Sequence, residues 1–285
     1  MRAVPLREAP AGVCAPLEVP SLKRQEPVPS FDLSATLECG QCFRWEALPG
    51  GEYRFSAGSR HMRAGPSSCS VLWEDEGWRA YFDLERDYDS IRGELSALDP
   101  VLARAAAYAP GIRILNQDPW EALCCFILSQ NNNIPRIKGI VSRLCETFGE
   151  PSEEGFGFPG PERLASLSPQ ELSPLRCGFR ARYLTDAARR VARREEGLVL
   201  EELRGIPVAE AREALMKILG VGRKVADCTL LYGLHRLEVF PVDVWMKRAM
   251  ETLFPGKSPE MFGPWAGIAQ QYIFHYSRNH PEEFR

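Results

Sequence analysis

No stretch of this 285-residue chain stays apolar long enough to span a bilayer, which excludes a helical membrane protein. The first thirty residues contain no apolar leader core, because Pro5, Pro10, Pro16, Pro20, Pro27 and Pro29 break them up. Arg2 and Arg7 are a weak organelle signal, opposed by those prolines and by Glu8. The expectation is an intracellular protein with a loose N-terminus, its compartment (bacterial cytoplasm or eukaryotic nucleus) left open. A second cysteine pair is also missing. Cys39 and Cys42 form a C-x-x-C, but none of the other seven cysteines makes a pair at zinc-site spacing. The odd count, and the apolar neighbours of Cys124, Cys125 and Cys145, suit reduced thiols in buried helices. No cysteine follows Cys228, so a C-terminal iron–sulfur cluster is excluded.

A strong charge of one sign is absent as well, the formal net charge being −3. Distribution matters more than the sum. Between Arg176 and Arg194 stand seven arginines against one acid, Asp186, and between Asn131 and Cys145 stand Arg136, Lys138 and Arg143 with no acid. Acids gather elsewhere, as in Glu74-Asp75-Glu76. A near-neutral total can therefore hide a basic face, although charge alone fits solvated helix surfaces equally well.

The chain changes character near residue 115. Before it, short alternating runs separated by glycine turns predict antiparallel strands at 42–45, 53–55 and 70–73. A helix is predicted over about 90–107, with Ile91, Leu95, Leu98, Leu102 and Ala106 at three- and four-residue steps. After it, helices dominate. Asp118-Pro119-Trp120-Glu121 combines a capping Asp, a first-turn proline and an early Glu, and opens a helix to about 128. Further helices are expected at 134–148, 161–174, 179–196, 209–218, 223–235, 243–253 and 259–279, with a Gly/Pro loop at 152–160. The fold class is α+β: an N-terminal antiparallel β-sheet domain, 1–115, packed on a mostly α-helical body, 116–285.

The most informative segment is Leu219-Gly220-Val221-Gly222-Arg223-Lys224, which joins two helices at about 209–235. Two glycines around a small apolar residue permit a tight turn and expose N–H groups at the next helix start. Such amides, with the helix dipole, can grip a phosphate without reading sequence. Lys224 follows at once, and Asp243 lies one helix and one loop further on, at a position suited to start the next helix. A lysine in a partly apolar pocket gains nucleophilicity, and a nearby carboxylate stabilises an oxocarbenium-like sugar. A Lys/Asp pair is what attack at an anomeric carbon needs; a capping Asp with a surface lysine is the plain alternative.

The run Leu219 to Cys228, followed by Pro241-Val242-Asp243-Val244, closely resembles the helix-hairpin-helix DNA glycosylases. Gly40-Gln41-Cys42-Phe43-Arg44-Trp45 resembles the N-terminal G-Q-x-F-R-W motif of the 8-oxoguanine DNA glycosylases of the bifunctional glycosylase/lyase type. Residues 114–119, 129–137, 178–183 and 263–270 match further segments of that family in the right order, so the likeness spans about 31–280.

The resemblance implies base excision repair of double-stranded DNA containing 8-oxoguanine, by a monomer without a cofactor or a membrane partner. Lys224 would be the nucleophile and Schiff-base former, and Asp243 the stabilising carboxylate. Gly40 would discriminate the lesion through its carbonyl, because 8-oxoguanine carries a hydrogen on N7 where guanine presents an acceptor. Cys228 and Phe274 would sandwich the flipped base and Gln270 would bond its pairing edge. Asn131, Arg136 and Arg180 would hold the estranged cytosine while Phe179, where tyrosine is common, fills the gap. Gly220, Val221, Gly222 and Val225 would form the phosphate hairpin. Carbonyls of Met216, Ile218 and Val221 would be placed for a structural cation. Trp245 stands where eukaryotic relatives often have histidine, a departure that touches 5′-phosphate contact rather than reaction class. A glycosylase for oxidised pyrimidines or adenine is disfavoured by the missing C-terminal cysteines, and an alkylation-repair glycosylase would not need Lys224. A non-catalytic DNA-binding module using the hairpin alone stays open.

Overall fold

The structure, a computed structural model, describes residues 30–66 and 68–284. The expectations for the N-terminal leader, the arginine signal and the loose segment lie outside these residues.

A six-residue helix, α1 (Leu33–Glu38), is capped by Asp32, whose carboxylate accepts from Ala35 N–H. The chain then forms an antiparallel sheet in the order β1 (Trp45–Ala47), β2 (Tyr53–Ala57), β3 (Arg60–Ala64), with Trp45 opposite Phe55 and Phe55 opposite Met62. The third strand is therefore 60–64, not 70–73. Val71–Glu74 is a short helix (α2), followed by α3 (Glu76–Tyr81), which Asp75 caps by accepting from Trp78 N–H. The apolar run at 70–73 buries Leu72 from a helical turn, and a run of four residues cannot separate the two periods.

The helix expected over 90–107 is two helices, α4 (Tyr88–Leu98) and α5 (Pro100–Tyr108). Asp99 between them is extended (φ −159°, ψ 135°) and accepts from Val101 N–H at 2.7 Å. A residue before proline is pushed out of the helical region, and here it becomes the next helix's cap. The body continues with α6 (Pro119–Ser129), α7 (Ile134–Phe148), a two-residue hairpin β4 (Pro151–Ser152)/β5 (Gly155–Phe156), α8 (Pro161–Ala165), α9 (Arg180–Ala192), α10 (Val208–Met216), α11 (Arg223–Tyr232), α12 (Val244–Leu253) and α13 (Ala266–Asn279). Helix α9 stops short of 196 because Arg194 and Glu196 turn left-handed. Residues 259–265 are 3-10, broken from α13 at Gly263 (φ +57°).

Two apolar cores result. The smaller surrounds the sheet, with Phe55 edge-on to Trp78 and Phe82. The larger is helical and takes in the inner faces of α4 and α5, the latter packed on α13. The sheet region is tied to the body by Arg44 and Glu121, an ion pair at 3.0 Å with both side chains under 10% exposed. Arg44 also donates to the carbonyls of Gly58 and Phe156, and Glu121 accepts from Gly58 N–H. A buried pair this well satisfied fixes geometry more than it adds stability. Among the described residues no helix is long and apolar enough to cross a membrane.

Candidate active site

The hairpin connects α10 to α11. Gly220 is left-handed (φ +78°), and a side chain there would begin 2.5 Å from the ring of Tyr183 in α9. Any other residue would be excluded twice, by conformation and by space. One helical turn along α9, Asp186 accepts from Leu219 N–H at 2.8 Å. Val221 turns its N–H inward to the Ile218 carbonyl at 3.0 Å and is buried, as is Val225. Gly222 is exposed and extended at the start of α11, and no side chain caps that helix. The contrast with α6, α7 and α12, capped by Asp118, Asn133 and Asp243, leaves the first-turn amides of α11 as an open anion site. Underneath, buried Asp227 holds Arg212 of α10 at 2.6 Å and Arg223 at 3.6 Å, clamping the two helices together. Burial raises the Asp227 carboxyl, with the two arginines opposing. Sequence reasoning missed this clamp, though an acid four residues past Arg223 is a visible helical pair.

The carbonyls implied for a cation are compatible with one. Among the described residues, those of Met216 and Val221 receive no backbone N–H, and that of Ile218 receives one from Val221. A carbonyl has two lone pairs, so each keeps capacity for a hard cation.

Lys224, in the first turn of α11, is half-buried. Its Nζ donates to Ser129 Oγ at 3.1 Å and lies 5.2 Å from the centre of the Phe126 ring. Ser129 donates its own proton to the Phe126 carbonyl at 2.8 Å, so only lone pairs face the amine. Among the described residues Lys224 has no carboxylate partner within 4 Å, which leaves the amine unencumbered by an ion pair. Ser129 is the second residue that sequence reasoning left without a role, since a serine at a helix end has an ordinary capping explanation. Asp243 is the cap of α12, accepting from Met246 N–H at 2.7 Å. Lys224 and Asp243 both lie close enough to the Cys228 thiol to act on it. Burial pushes that thiol up to about 11, with Lys224 opposing, so Cys228 is an uncharged, polarisable wall at neutral pH.

The expected damaged-base residues converge on the same region. Phe126 stacks on Tyr232 (5.3 Å, 21°), whose hydroxyl reaches Gln270 Oε1 at 3.1 Å and Gln271 Oε1 at 2.8 Å. One proton serves both oxygens, and the shorter contact favours Gln271 as its acceptor. Gln271 in turn donates to the Cys39 carbonyl at 3.1 Å, next to Gly40. Gly40 is left-handed (φ +88°), and a side chain there would begin 3.5 Å from the Phe274 ring. Gln41 locks this corner, donating to the carbonyls of Thr36 and Arg113 and accepting from Leu115 N–H. Gln117 donates to the Gln41 carbonyl at 2.8 Å. The motif from Gly40 to Trp45 is thus a set of buried tethers that set one backbone position.

The remaining expected residues lie at the junction of α6 with α7 and at the start of α9. Asn131 is exposed and left-handed (φ +47°). Arg180 is 2% exposed and donates to the carbonyls of Gln130, Asn131 and Cys177. Arg136 is exposed, and near enough to Arg180 to disfavour its charge after burial has done so. Phe179 is 47% exposed and meets Tyr183 edge-on at 5.6 Å. Tyr183 also fills the space left by Gly220, so the exposed phenylalanine and the hairpin share one support.

Residues 23–123 match the family model for the 8-oxoguanine DNA glycosylase N-terminal domain, and 124–261 that of the HhH-GPD superfamily of base excision DNA repair proteins. The chain is 30% identical to the Arabidopsis thaliana N-glycosylase/DNA lyase OGG1, covering 85% of this chain and 76% of that protein. The chain belongs to the 8-oxoguanine N-glycosylase/DNA lyase family. It is a base excision repair enzyme that binds duplex DNA, with glycosylase and lyase activities. A probable N-glycosylase/DNA lyase of Methanothermobacter thermautotrophicus is 29% identical over 88% of this chain and 95% of its own length. The fold also matches the Clostridium acetobutylicum 8-oxoguanine glycosylase/lyase, solved with DNA carrying cytosine opposite the lesion. That likeness has a TM-score of 0.77 and 34% identity over 88% of this chain and 93% of that one. Gln270 and Phe274 lie beyond the residues that either family model matches.

Proposed function

We propose that this N-glycosylase/DNA lyase extrudes 8-oxoguanine, preferably opposite cytosine, from duplex DNA inside the cell, acting as a monomer. The first-turn amides of α11 and the hairpin at Gly220, Val221, Gly222 and Val225 hold a phosphate near the target. Phe179 enters the vacated stack, while Asn131, Arg136 and Arg180 hold the orphaned cytosine. The flipped base lies between Phe274 and Cys228, with Gln270 on its pairing edge and the Gly40 carbonyl accepting from N7–H. Guanine presents a lone pair there, and two acceptors repel.

The Lys224 amine, once neutral, attacks C1′, and the base leaves with the glycosidic electron pair and takes up a proton. Asp243 stabilises positive charge at the sugar as that bond breaks. Ring opening gives a Schiff base, loss of a C2′ proton follows, and the 3′ phosphate departs by β-elimination. The observation that supports this reading is the state of Lys224: half-buried, held by the Ser129 hydroxyl beside the Cys228 thiol and, among the described residues, without a carboxylate partner.

Borohydride reduction on an 8-oxoguanine:cytosine duplex is expected to trap a covalent protein–DNA adduct. Lys224→Gln should abolish the adduct while duplex binding persists. An adduct that survives in this variant rules Lys224 out as the nucleophile.

A further inference from the structure

Trp245 stands two residues beyond Asp243 in the first turn of α12, and its indole reaches across to α13. The indole N–H donates to Ser277 Oγ at 2.8 Å. Ser277 is fully buried and donates its own proton to the Phe274 carbonyl at 3.1 Å. A hydroxyl has one proton, and Ser277 commits it to Phe274, so the lone pair is what Trp245 meets. The chain of bonds therefore has a direction, from indole to hydroxyl to carbonyl. The same residue's ring faces Gly40, with the Arg278 guanidinium 5.5 Å from the ring centre.

We infer that Trp245 is a positioning residue for the damaged-base wall. It pins α13 to the start of α12, so that the Phe274 ring and the Asp243 carboxylate keep a fixed separation. One of these groups meets the base and the other the sugar. The indole nitrogen always carries its proton and can only donate, whereas an imidazole nitrogen can present a lone pair instead, so the tryptophan fixes the direction of this tether. This rests on the reading of Phe274 as one face of the base pocket.

The two activities of the enzyme separate this role from a general structural one. A preformed abasic site has no base to place against Phe274, so only base excision should feel the loss. Trp245→Phe keeps the ring and deletes the N–H. Excision of 8-oxoguanine is expected to fall about 3- to 10-fold, the rate equivalent of one hydrogen bond, while cleavage of a preformed abasic site keeps its rate. Ser277→Ala should give the same split, and the double variant should be no worse than either single one. Equal losses in both activities, or none in either, overturn the inference. Phe274→Ala run alongside tests the underlying reading. If it fails to lower excision relative to abasic cleavage, Phe274 is not the base wall and both ideas fall. If it does so and Trp245→Phe does not, only the inference falls.

Discussion

The two sides of the site are held in opposite ways. On the lysine side the two proposed reactive groups are lightly held: Lys224 on Ser129 beside the Cys228 thiol, Asp243 on the first turn of α12. On the opposite-base side Arg180 is buried and donates to three backbone carbonyls, shaping the left-handed turn at Asn131. In the proposed reading a group that must form and break bonds carries few restraints at its tip and is fixed at its root. A group that must present a shape is, in the same reading, fixed throughout, and Arg180 would do this by ordering Asn131, whose carbonyl it holds. If that contrast holds, substitutions on the lysine side should move rate and leave stability alone, while Arg180 should move both.

The largest effect is expected at Asp243. Asparagine caps a helix as well as aspartate does, so Asp243→Asn should melt with the unaltered protein. Its single-turnover excision rate should fall by about two to three orders of magnitude, the range for removing a preorganised group that faces developing charge. A rate within a few-fold of the starting enzyme would remove the carboxylate from the chemistry. Next is Arg180→Ala, which strands the carbonyls of Gln130, Asn131 and Cys177. Urea unfolding should show a loss of roughly 1–3 kcal/mol, the usual cost of buried polar groups left unpaired. Excision opposite cytosine and opposite adenine should also become more alike. Full stability with an altered preference would break the contrast, because Arg180 would then be a reader and not a shaper.

Much of this was legible in the sequence, and the misses have physical causes. Helix starts that use a side-chain cap were readable: Asp118 with Pro119 gave α6 to within a residue, and Asn133 with Pro135 fits the start of α7. Residues 70–73 were misread because four apolar-rich residues carry neither period. The break at Asp99–Pro100 was missed because apolar spacing continues across it. At the site, the glycines and Lys224 stood out because their backbone and chemical demands are rare. Ser129, Asp227 and Ser277 did not, since the partners that give them a role (Lys224, Arg212 and Trp245) come from other helices and their residue types have many ordinary uses. The wiring of Gln41 and Arg44 into the body was invisible for the same reason: its partners lie up to 112 residues away.

A smaller effect is expected from Ser129→Ala. The variant removes the oxygen acceptor that aims the amine, so single-turnover excision should slow by about 10-fold while duplex affinity holds, as misplacement of a reacting group predicts. Ser129→Thr, which keeps a hydroxyl, should recover most of the loss. An unchanged rate in the alanine variant would make the contact incidental and weaken the case for a tethered nucleophile.

The smallest effect is expected at Arg136, and it tests how the far side would read a base. Arg136 is exposed and lies close enough to Arg180 for their like charges to oppose each other. In the proposed reading an acceptor-bearing edge between them would relieve that repulsion, and the pairing edge of cytosine offers O2 and N3. Adenine offers a single ring acceptor with an amino donor beside it, and so satisfies the pair less well. Arg136→Ala should therefore leave the melting temperature in place and narrow the cytosine-over-adenine preference by about 5-fold, roughly 1 kcal/mol for an exposed contact. Raising salt should narrow the preference of the unaltered enzyme more than that of the variant, because an exposed charge is screened and an absent one is not. A preference that survives both the substitution and the salt would mean that shape alone, set by Arg180 and Asn131, selects the partner base.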